Sequence, residues 1–235
     1  MQEKYKSTDE YSYTLGMSIS LELIANHPSL VREVYYSSKM LKNENYDKLL
    51  SLCEKHHIPL NEDDKVIHNL SVKENCYVIA VFKKFDGEIK KDHNHLVLVN
   101  FDDFGTLGTV FRTAISFNHR DIILINPQID HFDPRVVRAS MGSIFYTNIK
   151  IYKDLNSYFK DYPNHACYAI GNDGEELSKV DYDLPYTLIY EAHNNLEDIS
   201  AKHVYLAHQV YEDIPTPMVF GISLHHLYAL SKRNR

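Results

Sequence analysis

The chain has 235 residues, of which 44% are hydrophobic, and its formal net charge is −7. This length allows one large domain or two modest ones with real cores, and this composition excludes a disordered chain. The polar start, MQEKYKSTDEYSY, and the lack of an apolar run near roughly 20 residues predict neither a signal peptide nor a membrane span. A charge of −7 disfavours a protein that coats nucleic acid by charge alone, although a local basic patch remains compatible with it. The three cysteines are far apart and odd in number, which predicts a cytoplasmic protein without disulfides.

The first part of the chain predicts a small α/β domain, because helical and β-prone patterns alternate along it. The predicted elements are a helix over Thr14–Ala25, a strand over Val31–Tyr36, a helix over Tyr46–His56, a short helix over Lys65–Asn69 and a strand over Cys76–Phe82. The polar run from Lys83 to His95 then contains the Asp86-Gly87 turn signal and is typical of a connector. We therefore expect a small domain over 1–85, a linker over 86–95 and a second domain over 96–235.

The second part predicts a parallel sheet, because strand, helix and strand follow one another at the spacing of a right-handed βαβ unit. The predicted elements are strands over Leu96–Val99, Asp121–Ile125, Asn148–Tyr152, Ala166–Ile170 and Tyr186–Tyr190, and helices over Gly105–Asn118, from Asp133-Pro134, over Leu155–Tyr162 and over Ile222–Arg233. The Asp133-Pro134 pair is typical of a helix start, with aspartate as the N-cap and proline in the first turn.

Two loops at the carboxyl edge of this sheet carry candidate anion ligands. The first loop, from Asn100 to Ala114, leads into a helix that holds Arg112 about one turn from its start. The second loop begins another helix, on which Arg135 and Arg138 are three residues apart. Helix N-termini and arginines suit a phosphate, and ordinary surface arginines explain the pattern equally well.

The same two loops resemble the motifs of a known family. The run GTLGTVFRTAISFNHRDIILIN resembles the first motif of the SpoU (TrmH-type) ribose 2′-O-methyltransferases, and VVRASMGSIF, from Val136 to Phe145, resembles the second. The N-terminal part, including GMSISLELIANHPSLVREVYYS, is similar to the small substrate-binding domain of that family. The resemblance covers nearly the whole chain, and both motifs stand next to the strands that the family places there.

The resemblance implies an α/β fold in which a small α/β substrate-binding domain precedes a C-terminal parallel-sheet domain with a deep trefoil knot. It also implies S-adenosylmethionine as the cofactor, a tRNA or rRNA substrate and a homodimer whose active site lies near the subunit interface. Arg112 matches the family arginine that positions or activates the ribose 2′-hydroxyl. The residues expected to contact RNA are Thr106, Arg112, Arg135, Arg138 and Ser140.

The sequence departs from the family at the segments that would hold the cofactor. Thr106 stands where the first motif usually has asparagine. After the strand Tyr186–Tyr190, the family pattern Gly-Asn-Glu-Gly is replaced by Glu191-Ala192-His193-Asn194-Asn195, so that either Glu191 or His193 would take the place of the glutamate. An upstream run that begins Gly171-Asn172-Asp173-Gly174 is similar to the missing pattern, but it comes one strand too early, and a tight turn explains it.

The third motif is altered as well. Ile214-Pro215-Thr216-Pro217-Met218 resembles Ile-Pro-Met with an insertion, and Ile222–Leu227 resembles Ser-Leu-Asn-x-Ser with His225 in place of asparagine. His225 would serve as a base, or it is simply a residue of the helix surface. The expected cofactor-binding residues are Tyr190, Glu191, Ala192, Ile214, Pro215, Met218, Ser223 and Leu224, and the expected catalytic residues are Arg112, Glu191 and His225.

The resemblance therefore implies an S-adenosylmethionine-dependent RNA 2′-O-methyltransferase. The alternative is a non-enzymatic homologue, a knotted dimer that binds RNA or a protein, which the net charge and the altered third motif favour. His93-x-His95 and His225-His226 lack further ligands at metal-binding spacing, so we expect no metal site.

Overall fold

The structure is a computed structural model, and it describes residues 4–71, 75–192, 199–207 and 214–233. The chain forms two compact units. The first comprises Met1–Phe85 and Asp130–Tyr146, and the second comprises Asp86–Ile129 and Thr147–Arg235. No helix among the described residues is long and apolar enough to cross a membrane.

The first unit is built on a mixed four-stranded sheet. Up to Lys83 its elements are β1 (Tyr11–Tyr13), α1 (Met17–Asn26), β2 (Val31–Tyr36), α2 (Glu44–His56), β3 (Leu60–Glu62), α3 (Asp64–Leu70) and β4 (Val78–Lys83). The strand order is β1-β4-β2-β3, in which only the β2–β3 pair is parallel. Five of the six residues of β4 are buried, as its apolar sequence predicts for a central strand.

From His95 onward the chain forms eleven further elements within the described residues. They are β5 (His95–Val99), α4 (Phe104–Ser116), β6 (Asp121–Ile125), α5 (Pro134–Ala139), β7 (Asn148–Tyr152), α6 (Leu155–Asp161), β8 (Ala166–Gly171), β9 (Glu175–Glu176), β10 (Tyr186–Glu191), β11 (Lys202–Tyr205) and α7 (Thr216–Arg233). Short 3₁₀ helices cover Pro28–Leu30, Ser143–Tyr146 and Leu177–Lys179.

The segment Asp130–Tyr146, which contains α5, packs within the first unit, whereas the sequence assigns it to the second domain. The reason is aromatic packing. The ring of Phe132 lies 5.7 Å from that of Phe82 and 4.8 Å from that of Phe85, and Phe145 lies 5.4 Å from Phe82. These rings complete the core of the first unit. The division into independent domains at 86 and 96 stays a prediction.

The second unit holds a seven-stranded sheet, in the order β7-β6-β5-β10-β8-β11-β9, and every pair in it is parallel. The expected α/β class with a parallel sheet is therefore confirmed. The chain leaves β5 toward β6 on one side, and it leaves β10 toward β11 on the other. This reversal places a topological switch point at the carboxyl ends of β5 and β10, where ligands bind in open α/β sheets.

The two faces of this sheet are covered by different helices. Ile189 belongs to a buried cluster that includes Tyr158 of α6. Tyr190, the next residue of β10, points to the opposite face. There its ring lies 4.7 Å from that of Phe220 in α7, and α7 packs against α4. The helix α7 therefore covers the face of the sheet that bears Tyr190, while the trefoil knot stays a prediction.

Candidate active site

A cavity of about 260 Å³ lies in the second unit, at the carboxyl edge of the sheet beside α7. Its walls come from the ends of β8, β10 and β11, from the residues that follow them and from the start of α7. The lining residues are Ile170, Gly171, Asn172, Tyr190, Glu191, Tyr205, Leu206, Ile214, Thr216 and Val219.

The register of the sheet explains why these residues meet. Tyr190 pairs with Ile170, and Tyr205 pairs with Gly171, so three strands end at the same level. Because parallel strands run in one direction, every loop that leaves these ends opens on the same side. The cavity therefore follows directly from the strand order β10-β8-β11.

The floor of the cavity is apolar and firmly packed. Tyr190 is 2% exposed, and its burial raises the pKa of its hydroxyl, which therefore stays protonated. Ser223 and Leu224 are fully buried, and the Ser223 hydroxyl donates to the carbonyl of Val219 at 2.8 Å, within α7. Ser223 and Leu224 thus support the cavity from behind, whereas the sequence predicts direct cofactor contacts for them.

A chain of side-chain hydrogen bonds crosses three neighbouring strands at the same edge. The amide of Asn126, after β6, donates from Nδ2 to Oδ1 of Asn100 at 2.8 Å. Asn100, after β5, donates from its own Nδ2 to Oε1 of Glu191 at 3.0 Å. Glu191 ends β10 and is 4% exposed. The Glu191 carboxylate, which lines the cavity, is therefore held by a hydrogen bond at the switch point between β5 and β10.

Both asparagines lie in the left-handed region of the backbone, with φ of 57° for Asn100 and 45° for Asn126. Asparagine tolerates this conformation better than most residues with a side chain. Their main-chain amides continue the ladder past the strand ends, since Asn100 donates to Ile125 and Asn126 to Tyr152. Neither asparagine could be assigned a role from the sequence, because an asparagine after a strand is a common turn residue.

The end of β10 and the residue after it carry two of the expected residues, Glu191 and Ala192. The main-chain amide of Ala192 donates to the carbonyl of Val99 at 3.1 Å, which extends the pairing of β10 and β5 by one residue. Ala192 does not line the cavity. The alternative acid position, His193, lies outside the described residues. Between the two positions that the sequence left open, the structure therefore describes only Glu191, and it places this residue on the cavity wall.

The Gly171-Asn172 segment contributes to the cavity, contrary to the view of this run as a turn alone. This segment follows β8, whereas the family motif is expected after β10. However, that strand, β8, lies directly beside β10 in the sheet. Gly174 closes the turn at φ of 99°. A Cβ atom at this position would lie 2.1 Å from the carbonyl oxygen of His203 in β11, so position 174 requires glycine. A glycine and a polar residue directly after a predicted parallel strand are the signal that could have revealed this wall.

The start of α4 shows what replaces the missing asparagine of the first motif. The main-chain amide of Thr106 donates to Oδ1 of Asp103 at 2.6 Å, and this contact caps α4. Hydrogen bonds from the amide and the hydroxyl of Thr106 lower the pKa of the Asp103 carboxyl. Thr106 therefore stabilises the helix start. Arg112, two turns further on, is exposed and free to meet a ligand from solution.

The other basic candidates lie in the first unit, on α5. Arg135 is engaged by Asp133, to which it donates from Nε at 2.9 Å and from an Nη atom at 2.8 Å. Arg138 is partly buried. Ser140 is fully buried, and its hydroxyl donates to the carbonyl of Val137 at 2.8 Å. This arrangement does not support the expected RNA contact of Ser140, because its only hydroxyl proton is used inside the helix.

The third motif divides between the cavity and the surface. Ile214 lines the cavity. Pro215 is exposed, and its carbonyl accepts from the main-chain amide of Met218 at the start of α7. Met218 is 61% exposed. His225 is exposed on α7, and its ring lies 6.1 Å from that of Phe117, so the structure supports the surface interpretation of this histidine.

Among the described residues, no group of three or more histidine, cysteine, aspartate or glutamate side chains could hold a metal ion. The side chains that line the cavity offer one carboxylate, one amide, three hydroxyl groups and apolar surface, and the strand ends add main-chain groups. Such a site suits a ligand with one flat apolar part and one cationic part.

Comparison with known proteins agrees with this fold. Residues 93–190 match the model of the SpoU rRNA Methylase family, which confirms the resemblance seen in the sequence. No curated protein matches the chain. The matched segment runs from just before β5 to the penultimate residue of β10, and it therefore includes the switch point.

Similar solved structures share the fold over most of the chain. The SpoU methyltransferase AviRb from Streptomyces viridochromogenes is 14% identical, with a TM-score of 0.79 over 96% of this chain and 91% of that chain. An rRNA methyltransferase from Sinorhizobium meliloti is 18% identical, with a TM-score of 0.75 over 94% and 88%. An RNA 2′-O ribose methyltransferase is 17% identical, with a TM-score of 0.76 over 96% and 90%. The first two were also solved with AdoMet bound.

Proposed function

We propose that this chain, whose residues 93–190 match the model of the SpoU rRNA Methylase family, is an S-adenosylmethionine-dependent methyltransferase that acts on ribose 2′-hydroxyls of tRNA or rRNA. The observation that carries the proposal is the cavity at the carboxyl edge of the parallel sheet. It lies at the ends of β8, β10 and β11, close to the switch point at which such folds bind ligands. The AdoMet complexes of two similar structures support the choice of cofactor.

The residues around the cavity fit this cofactor. Ile170 and Val219 offer apolar surface for an adenine ring, and the ends of three strands offer main-chain donors and acceptors for its polar edge. The Glu191 carboxylate complements a positive charge. Ile214 and Thr216 would close the pocket from the side of α7, while Pro215, Met218 and Ala192 act through the backbone around it.

When bound, S-adenosylmethionine supplies an electrophilic methyl group. The chain's own task is then to bring the ribose oxygen into line with that methyl group and to exclude water, since positioning supplies much of the rate of such reactions. Arg112 is exposed on α4 and would hold a phosphate beside the target ribose. Glu191 is the carboxylate that lines the cavity, and it would accept the hydroxyl proton or stabilise its departure.

Thr106, at the start of α4, and Arg112, two turns into that helix, would contact RNA from the second unit. Arg138, on α5, is the corresponding candidate of the first unit. Arg135 would first have to leave Asp133, so we expect it to contribute less than Arg138. We further propose a homodimer and a trefoil knot in the second unit, both of which follow from the family resemblance, and a cytoplasmic location, which follows from the three widely spaced cysteines.

Binding and turnover test the proposal separately. Titration calorimetry of the purified protein with S-adenosylmethionine and S-adenosylhomocysteine should show one site per chain. Incubation with methyl-labelled cofactor and either tRNA or rRNA should place label in RNA, and nuclease digestion should recover it as a 2′-O-methylnucleoside. A folded protein that binds neither compound would contradict the proposal, as would label found only on a base.

Replacement of Arg112 tests its assigned part. We expect Arg112→Ala to lower methyl transfer about 100-fold, because the arginine is a charged positioning group. The fold should survive, since the side chain is exposed. Arg120→Ala is the matched control, because Arg120 is an exposed arginine just before β6, at the opposite edge of the sheet. Equal rates for the two variants would remove Arg112 from the mechanism.

A second candidate function is a non-enzymatic homologue that binds RNA or a protein as a dimer. The observation that favours it is the position of His225, which faces Phe117 on the helix surface and does not line the cavity. This candidate predicts salt-dependent RNA binding without any cofactor binding. Calorimetry with S-adenosylhomocysteine therefore decides between the two.

A further inference from the structure

The hydrogen-bond chain from Asn126 through Asn100 to Glu191 has a direction. Glu191 is a carboxylate and accepts when ionised, so the amide nitrogen of Asn100 must face it. The amide oxygen of Asn100 then faces Asn126, and it accepts from Nδ2 of that residue at 2.8 Å. The two contacts together fix the orientation of the Asn100 amide, which a single contact would leave open.

The backbone of Asn100 is also held in place. Its backbone lies at φ of 57°, directly after β5, and its main-chain amide is bonded to Ile125 of the neighbouring strand. The strand of Glu191 pairs with the strand of Asn100 in register, Glu191 opposite Val99. The donor and the carboxylate are therefore held by adjacent rigid strands, which is the best support for a precise contact.

We propose that Asn100 is a positioning residue that holds the Glu191 carboxylate on the cavity wall, where this carboxylate makes the site prefer the sulfonium form of the cofactor over its neutral thioether product. The inference rests on the proposed function and adds a source of selectivity to it. In the reaction, the bond from sulfur to methyl breaks, the bond from methyl to the ribose oxygen forms, and the hydroxyl proton leaves to solvent, either directly or by way of the Glu191 carboxylate. The cofactor thereby loses its sulfonium charge, so a fixed carboxylate attracts the substrate form more strongly than the product form.

The test measures the affinities of S-adenosylmethionine and S-adenosylhomocysteine for the full chain by calorimetry, and the readout is the ratio of their two Kd values. The wild type should bind S-adenosylmethionine more tightly. Glu191→Gln keeps the shape and removes the charge, and it should raise the Kd for S-adenosylmethionine about tenfold while leaving that for S-adenosylhomocysteine nearly unchanged. The ratio should then approach one.

Asn100→Gly should shift the ratio in the same direction by a smaller factor. Glycine removes the amide and still suits the left-handed backbone. Asn118→Gly is the matched control, because Asn118 is an exposed asparagine at φ of 60° in the turn after α4. It should leave the ratio unchanged. The variant that carries both Glu191→Gln and Asn100→Gly should show the same ratio as Glu191→Gln alone, since Asn100 acts through the carboxylate.

The outcomes separate the two levels of the argument. If the wild type binds neither compound, the proposed function fails and the inference falls with it. If both compounds bind but Asn100→Gly leaves their ratio unchanged, the inference alone is overturned. The same holds if Asn100→Gly still shifts the ratio in the Glu191→Gln background. Thermal unfolding of each variant shows whether an altered affinity merely reflects lost structure.

Discussion

Two glycines of the first unit lie in the left-handed region of the backbone. Gly142 lies three residues after the end of α5 at φ of 86°, and a Cβ atom there would lie 2.9 Å from Cβ of Glu22 in α1. Gly16 precedes α1 at φ of 119°, with no atom within 4 Å of such a Cβ. The two glycines therefore share a backbone requirement, and only Gly142 also has a steric one.

This difference makes a prediction about stability. Gly142→Ala should lower the free energy of unfolding by about 1–3 kcal/mol more than Gly16→Ala, because overpacking adds to the strain that both substitutions cause. Urea denaturation of the two variants, followed by circular dichroism, gives the comparison. Equal losses would show that Glu22 moves aside without cost.

At the residue scale, sequence reasoning found some of the site and missed other parts for physical reasons. The cavity wall includes three residues that the sequence predicts to bind the cofactor, Tyr190, Glu191 and Ile214. Ser140 was misjudged because a serine inside a motif does not reveal whether its hydroxyl bonds within its own helix. Asn100 was missed because its role arises from pairing of β5 with β10, which are separated by 86 residues or more along the chain.

At the scale of elements, the amino edge of the large sheet holds buried histidines. His95 begins β5, with its Nδ1 2.9 Å from the hydroxyl of Tyr158 and its Nε2 2.8 Å from the carbonyl of Lys90. His119 precedes β6 and lies 2.8 Å from the hydroxyl of Tyr186. Burial lowers the pKa of each histidine to about 4.

These histidines predict a loss of stability in mild acid. Their pKa values are lower in the folded chain than the ordinary 6.5, so the unfolded chain binds more protons between pH 6.5 and 4. The contribution of these histidines to the free energy of unfolding is therefore fully present above pH 6.5. It falls as the pH drops toward 4, by up to about 1.4 kcal/mol per pH unit for each histidine. Urea denaturation between pH 7 and 5 measures this slope.

Substitution identifies the source of that slope. His119→Gln should reduce it, because glutamine does not titrate. The exposed His68 on α3 provides the control, and His68→Gln should leave the slope as it is. A slope that His119→Gln does not alter would assign the acid sensitivity to other groups.

Most elements could be predicted from the sequence, and the exceptions are short or polar. The strands β2, β6 and β7 have the predicted bounds. The strand β11, with the sequence KHVY, was not predicted, although it lies between β8 and β9 in the sheet. Its backbone pairing, and not its side chains, determines its conformation. The helix α7 begins at Thr216, six residues before the predicted start, because the Pro215 carbonyl accepts from the main-chain amides of Met218 and Val219 and so begins the helical hydrogen-bond pattern.

At the scale of the whole molecule, α7 carries apolar side chains that face solvent in the single chain. Met218 is 61% exposed and Ile222, four residues later on the same face, is 45% exposed. Such residues are typical of a helix that a partner covers. They support the proposed homodimer, with a second copy of the chain on this face.

The proposed dimer is tested by its mass in solution. Light scattering should give twice the mass of one chain for the wild type, and Ile222→Arg should raise the Kd of the dimer at least about tenfold, because it would bury a charge. Leu184→Arg is the control, since Leu184 is an even more exposed apolar residue, at 75%, outside α7. A monomeric wild type, or equal effects of both variants, would contradict this placement of the interface.

The order of the strands also has a consequence for synthesis. The cavity takes its walls from Ile170, from β10, from β11 and from the start of α7, so part of it is translated after most strands of the large sheet. Since chains emerge from the ribosome N-terminus first, most of the large sheet can assemble while the cavity is still incomplete. A nascent chain halted before β11 would therefore have no ligand to stabilise it, and it would depend on its core alone until β11 and α7 are made.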